Sequence, residues 1–154
     1  MENTKKFADS AQYIVISMGD EQFGIDIKYV DNIVRMQHIT RVPKMPPYLN
    51  GVINLRGEVI PVMSLRLKFE FDEDVITGNT RILILKPDAH SSVGIIVDSV
   101  KEVLTLGNDM IDKVARDAND ERAAYLSGVG KHGDSLISIL NIVGMFADKE
   151  DENA

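Results

Sequence analysis

Short apolar stretches rich in β-branched residues recur along the chain, each about five residues long and each closed by turn residues. They are Tyr13–Met18, Gln22–Ile27, Val52–Leu55, Val59–Met63, Arg81–Leu85, Val93–Val97 and Leu136–Leu140. That is the usual length of a strand. Gly19-Asp20, Arg56-Gly57, Gly78-Asn79, Lys86-Pro87-Asp88 and Lys131-His132-Gly133 separate them with turn chemistry. Strands at this spacing predict an all-β sandwich or barrel. Pro61 lies inside an apolar run and cannot donate to a ladder, which predicts an edge strand or a bulge there. Helical pattern is sparse. Apolar residues at Ile27, Val30, Ile33 and Val34 fit two helical turns, and Ile142–Phe146 fits a short C-terminal helix. Asn108–Ala124 reads as a long loop with room for some helix, and residues 148–154 read as a solvated tail.

The segments repeat. Gly24–Ile33 aligns with Gly94–Val103 at an offset of 70, and Tyr48–Val52 with Tyr125–Val129 at an offset of 77. Gly57, Ile60, Met63, Leu65 and Phe69 then find counterparts in Gly133, Leu136, Ile139 or Leu140, Ile142 and Phe146, with a one-residue gap between Val129 and Gly133. Two copies of about five strands each, residues 12–70 and 80–147, imply two small barrels within one domain spanning 12–147. Residues 1–11 and 148–154 are read as flexible termini. Barrels remove exposed sheet edges. Each copy is small for independent stability. The two are therefore expected to pack on each other, with a partner-binding groove between them. Whether strands stay within their own barrel or are exchanged is left open by the pattern.

Composition narrows the function. Apolar residues make up 44% of 154, a globular value, and there is no cysteine for a disulfide or thiolate site. No apolar run approaches the ~18 residues of a membrane-spanning helix, and Met1–Ser10 lacks a signal-peptide core. A cytoplasmic protein without direct membrane insertion is expected. The net charge of −7 opposes nucleic-acid binding. Yet between Arg35 and Lys68 six basic residues face only Glu58. Those charges read either as a solvated face or as a patch for an acidic protein partner.

Catalytic and cofactor chemistry finds little support. Gly128-Val-Gly-Lys-His-Gly133 matches a dinucleotide glycine pattern, but a strand follows it where a helix N-terminus is needed. Those glycines read as hairpin residues. Asp117-Ala-Asn-Asp-Glu121 starts like a calcium loop, but Arg122 and Gly128 stand where glycine and glutamate are required. His38, His90 and His132 show no metal-ligand spacing. No nucleophile elbow and no positioned carboxylate pair is visible. No enzyme, cofactor or metal is expected. Small barrels also bind single-stranded nucleic acid through aromatic platforms. With no tryptophan and 6% aromatic residues, that alternative rests on the basic stretch alone.

What remains is Gly51-Val-Ile-Asn-Leu-Arg-Gly57, two glycines bracketing an apolar strand that ends in a turn arginine. Glycine supplies φ > 0 at a turn. The arginine is either solvated or held for a bidentate contact with a partner carboxylate. The equivalent segment of the second copy lacks Asn-Leu-Arg, which singles out Arg56.

Tyr13–Ile27, Val30–Ile33, Ile39–Pro43, Gly51–Val62, Ser64–Phe69, Val93–Asp98, Val100–Leu104 and Tyr125–Val129 together resemble the CheW-like domain of bacterial chemotaxis coupling proteins over residues 12–147. The resemblance implies two SH3-like five-stranded barrels packed around a hydrophobic groove, with short helical segments. It implies a scaffold that binds the regulatory domain of the histidine kinase CheA and the cytoplasmic tips of chemoreceptors, without catalysis, at receptor arrays. Carried over position by position, it points to Val30, Asn32 and Ile33, to Asp98 and Val100, and to Arg56 with Gly57 as partner-binding residues. Asn32 stands where an acidic residue is common, and Ser64 where aspartate is common. Length favours a stand-alone adaptor over a fusion to a kinase or receiver domain.

Overall fold

The computed structural model describes residues 10–113 and 124–146. All seven apolar stretches form strands, and the segments between them supply four more. The strands are β1 (Ser10–Met18), β2 (Glu21–Asp26), β3 (Val30–Arg35), β4 (Leu49–Leu55), β5 (Glu58–Ser64), β6 (Arg81–Leu85), β7 (Val93–Val97), β8 (Ser99–Gly107), β9 (Ile111–Asp112), β10 (Leu126–His132) and β11 (Ser135–Leu140). Among the described residues, helix α1 spans Leu65–Lys68, and residues 142–146 are also helical, as the pattern predicts.

The strands make two sheets. One runs β8-β1-β2-β11-β10-β9 and the other β3-β6-β7-β5-β4. The chain divides accordingly. Tyr29–Val100 forms one continuous unit, and the described residues up to Lys28 and from Lys101 onward form the other. Each sheet curls upon itself. In the continuous unit, Val34 of β3 and Ile53 of β4 stand at opposite ends of the strand order, yet both belong to one cluster with Ile60, Val62, Ile82, Ile84 and Ile96. In the other unit, Leu106 of β8 and Ile111 of β9 likewise share a cluster with Tyr13, Val15, Ile137 and Ile139. Closure of this kind is what small SH3-like barrels do to remove edges. The five-strand expectation holds for one sheet; the other carries a sixth strand of two residues.

The two sheets are equivalent position for position. β2 pairs in parallel with β11 at Gly24↔Ile139, and β7 pairs in parallel with β5 at Val62↔Gly94. The register shift between Leu49 and Gly51 recurs between Leu126 and Gly128. Ser64 N–H donates to the Tyr48 carbonyl at 2.7 Å, and Asn141 N–H to the Tyr125 carbonyl at 2.7 Å. Both residues then cap a helical turn: Ser64 Oγ accepts from Leu67 N–H, and Asn141 Oδ1 accepts from Gly144 N–H. A single offset of 77 therefore runs from Tyr48 through the whole hairpin, and no gap is needed. The registers Leu55↔Glu58 and His132↔Ser135 place Gly133 opposite Arg56 in the alignment, and Asp134 opposite Gly57. The first two strands of each copy sit in the sheet completed by the later strands of the other.

Three sequence readings change. The helical spacing over 27–34 gives one 3-10 turn, Ile27–Tyr29, followed by strand β3. The register against β6 slips between Val30 and Asn32, yet burial along β3 alternates without a break. Val30, Asn32 and Val34 turn inward while Ile33 stays 39% exposed, which mimics helical spacing in a chain rich in strand-forming residues. Second, β5 is an interior strand. Pro61 fits because its partner Val52 turns its own N–H and carbonyl to Thr40, both at 2.8 Å, and the ladder to β7 starts only at Val62. No ladder bond is lost. Third, Gly51 is not a turn glycine. It lies inside β4 with φ 147°, and a Cβ there would stand 2.1 Å from the Thr40 carbonyl oxygen. Likewise Gly128 and Gly130 lie within β10, and only Gly133 of that glycine run is at the turn. Of the loop read over Asn108–Ala124, the described part holds a 3-10 turn at Asn108–Met110 and β9; the calcium-like segment lies outside the described residues.

Candidate protein-docking site

All seven carried-over positions fall within Tyr29–Val100, in three places. The first is the β4–β5 hairpin. Arg56 and Gly57 form its two-residue turn with φ of 54° and 84°. Positive φ at both central positions is the type I′ geometry that matches strand twist. Asn54 supports it, its Oδ1 accepting from Gly57 N–H at 3.1 Å. The Asn-Leu-Arg-Gly run thus has a local reason: Asn caps the turn, Leu55 packs on the barrel cluster, Gly57 tolerates the turn, and Arg56 is exposed at its tip. Among the described residues nothing engages the Arg56 guanidinium. Glycine would serve the same backbone at no steric cost, as Gly133 does at φ 59°.

The second place is β3, at one end of its sheet's strand order. Val30 and Asn32 are half-buried and Ile33 is exposed. Asn32 Oδ1 accepts from the Ile33 N–H at 2.9 Å, so its amide supports its own strand. The third place joins β7 to β8. Asp98 is clamped by Arg66 of α1, Nε donating to Oδ1 at 2.8 Å and Nη2 to Oδ2 at 2.5 Å. The side chains are 18% and 25% exposed. The hydrogen bond to Asp98 raises the Arg66 guanidinium above its ordinary value. Asp98 thus forms an internal fork–fork pair with Arg66. Val100 is half-buried on β8.

Two supporting groups escaped the sequence reading. Arg66 was visible only as part of the basic stretch, and its pairing with Asp98 joins distant segments. Asp74 lies between the two sequence copies, 12–70 and 80–147. It accepts from Ser64 Oγ, and its Oδ1 is buried without a partner among the described residues. Desolvation holds this carboxyl above the usual carboxylate value, opposed by the Ser64 hydrogen bond and the Arg66 charge. Ser64 thus engages a carboxyl from ten residues later in the chain. Among the described residues no group of three or more His, Asp or Glu side chains could hold a metal ion, and no helix is long and apolar enough to cross a membrane.

Comparison with known proteins agrees with this architecture. The family model of the CheW-like domain matches residues 12–150. The chemotaxis protein CheW of Helicobacter pylori is 35% identical over 131 residues, covering 85% of this chain and 78% of that one. The CheW of Bacillus subtilis is 31% identical over 147 residues, covering 96% and 93%. Among solved structures, the scaffolding protein TtCheW from Thermoanaerobacter tengcongensis superposes with a TM-score of 0.80 at 31% identity, covering 88% of this chain and 92% of that one. The chain belongs to the CheW-like domain family.

Proposed function

We propose that this chain, a chemotaxis scaffold of the CheW-like family, couples the cytoplasmic tips of chemoreceptors to the histidine kinase CheA by binding both, without catalysis or cofactor. The observation that carries the reading is Arg56: an exposed cation held in a left-handed backbone position that the equivalent hairpin gives to Gly133. Strain kept at an exposed position points to a use for the side chain. A guanidinium presented this way suits bidentate recognition of a partner carboxylate. Val30 and Ile33 on β3 add apolar surface to the same unit. Affinity then comes from apolar burial with charged contacts at the rim. The working location is the cytoplasm, at receptor arrays.

Reconstitution of kinase stimulation from purified receptor fragment, kinase and this protein tests the reading. Arg56→Ala and Val30→Asp are expected to fold normally and to lose stimulation and pull-down of partner. Unchanged pull-down of both fragments by both variants would sink the site assignment, and no stimulation by the wild-type chain would sink the function.

A further inference from the structure

The segment between α1 and β6 has its polarity turned inside out. α1 closes with Phe71 N–H donating to the Arg66 carbonyl at 2.7 Å and Glu70 N–H to the Leu67 carbonyl at 3.1 Å, with Glu70 left-handed at φ 63°. Ser64 then draws the Asp74 carboxyl inward. Thr77 N–H donates to Thr80 Oγ1 at 2.9 Å and fixes the far end. Between these anchors Asp72 and Glu73 are exposed, Val75 is 74% exposed and Ile76 is 54% exposed. A buried carboxyl beside two apolar side chains held out in water reverses the ordinary arrangement, and such reversals are informative.

A complementary segment lies at the same end of the unit. Arg41 and Lys44 are exposed, Met45 is 45% exposed, and Lys44 is held left-handed at φ 64°. The basic segment runs into Tyr48 and the acidic one is tied to Ser64, both at the C-terminal end of β5. The Tyr48 carbonyl accepts from Ser64 N–H at 2.7 Å, Lys68 Nζ sits 4.2 Å above the Tyr48 ring, and Ser64 Oγ holds Asp74. One end of the unit thus carries an acidic apolar loop and a basic apolar loop.

We propose that this end is a self-docking surface on which two copies of the chain pair about a two-fold axis. Arg41, Lys44 and Met45 of one copy meet Asp72, Glu73, Val75 and Ile76 of the other, and reciprocally. A two-fold interface requires a patch that is its own complement, and this patch holds both halves. Either loop facing its own copy would oppose like charges, so the pairing has one register. The loops are small beside the ~800 Å² per partner of a standard interface, so the association is weak and salt-sensitive. This inference is independent of the coupling function.

Sedimentation equilibrium of the full chain over rising concentration, at low and high salt, tests it. The wild type is expected to move from monomer toward dimer mass, less so at high salt. Arg41→Glu with Lys44→Glu should remain monomeric, as should Asp72→Lys with Glu73→Lys. An equimolar mixture of the two variants should regain the dimer, because one then carries two acidic loops and the other two basic ones. Val75→Ser with Ile76→Ser, a milder change, should weaken the dimer at unchanged melting temperature. A monomeric wild type at every concentration, dimerisation of either reversed variant alone, or a mixture that stays monomeric overturns the proposal.

Discussion

Arg56 and Gly133 occupy the same position of two equivalent hairpins, both left-handed, with φ of 54° and 59°. One copy fills the position with the residue that costs nothing there. The other fills it with a side chain that costs about 1–2 kcal/mol in left-handed backbone. Arg56→Gly is therefore expected to stabilise the fold by about 1 kcal/mol, a rise of roughly 2–4 °C in Tm for a chain of this size. It should at the same time abolish partner binding. Thermal unfolding read beside a binding titration checks both halves. A less stable variant that still binds would mean the arginine is kept for the fold.

The close approach of Thr40 to Gly51 sets the second prediction. A Cβ at Gly51 would meet the Thr40 carbonyl oxygen at 2.1 Å and its carbon at 2.8 Å, on a backbone at φ 147°. Gly51→Ala must break the Thr40–Val52 bridge or shift β4. The expected loss is about 3 kcal/mol or more, since both overpacking and φ strain contribute. Gly128→Ala meets the Asp112 carbonyl oxygen at 2.8 Å and should cost less. Urea denaturation of the two variants orders them, and a reversed order would contradict the geometry.

The Arg66–Asp98 pair predicts coupling between two segments 32 residues apart in sequence. Both side chains retain some exposure, so screening reduces the effect. A double-mutant cycle with Arg66→Gln and Asp98→Asn should give a coupling of about 1 kcal/mol in stability. Asp98→Asn should therefore weaken partner binding through the fold, and the loss should track destabilisation. Weakened binding with unchanged stability would return Asp98 to the role of direct contact.

Asp74 gives a pH signature. Burial raises its carboxyl above the ordinary value in the folded state. A raised acid binds its proton more tightly when folded, so its stabilising contribution is complete below the unfolded value and is lost as pH rises through the folded one. At neutral pH the ionised group is a cost. Asp74→Asn, which keeps an acceptor for Ser64, should equal or exceed the wild type in stability at pH 7. That advantage should shrink as pH falls through the carboxylate range. Denaturation midpoints at three pH values decide it; an advantage that grows on acidification has the wrong sign.

Much of the fold was legible because the barrel strands are short, apolar and closed by turns. β6 and β7 read clearly since nearly every residue in them is buried. β10 was hidden by its own glycines, which read as turn residues although two of them lie inside a strand. β3 was misread at Asn32 and Ile33, where a polar residue turns inward and an apolar one outward. Both are candidate docking residues, and local rules are most often broken where a surface is used. Arg56 was legible from Asn-Leu-Arg-Gly. Its strain was not, because the alignment gap placed Gly133 opposite Gly57. Asp98 was legible as a position but not as an ion pair, since its partner is distant in sequence.

The exchange of strands between the two copies has a consequence for the order in which the molecule is made. Tyr29–Val100 is continuous and has all five of its strands once β7 has left the ribosome. The β1–β2 hairpin emerges before that unit but must wait for β11, its parallel partner at Gly24↔Ile139, which is made after it. Such distant pairing is slow, and the apolar face of that hairpin, from Tyr13 to Met18, is exposed meanwhile. Pulse-labelled hydrogen exchange during refolding should find the amides of β6 and β7 protected before those of β2. The nascent chain thus carries an aggregation hazard at β1 and β2 that persists until β11 is made.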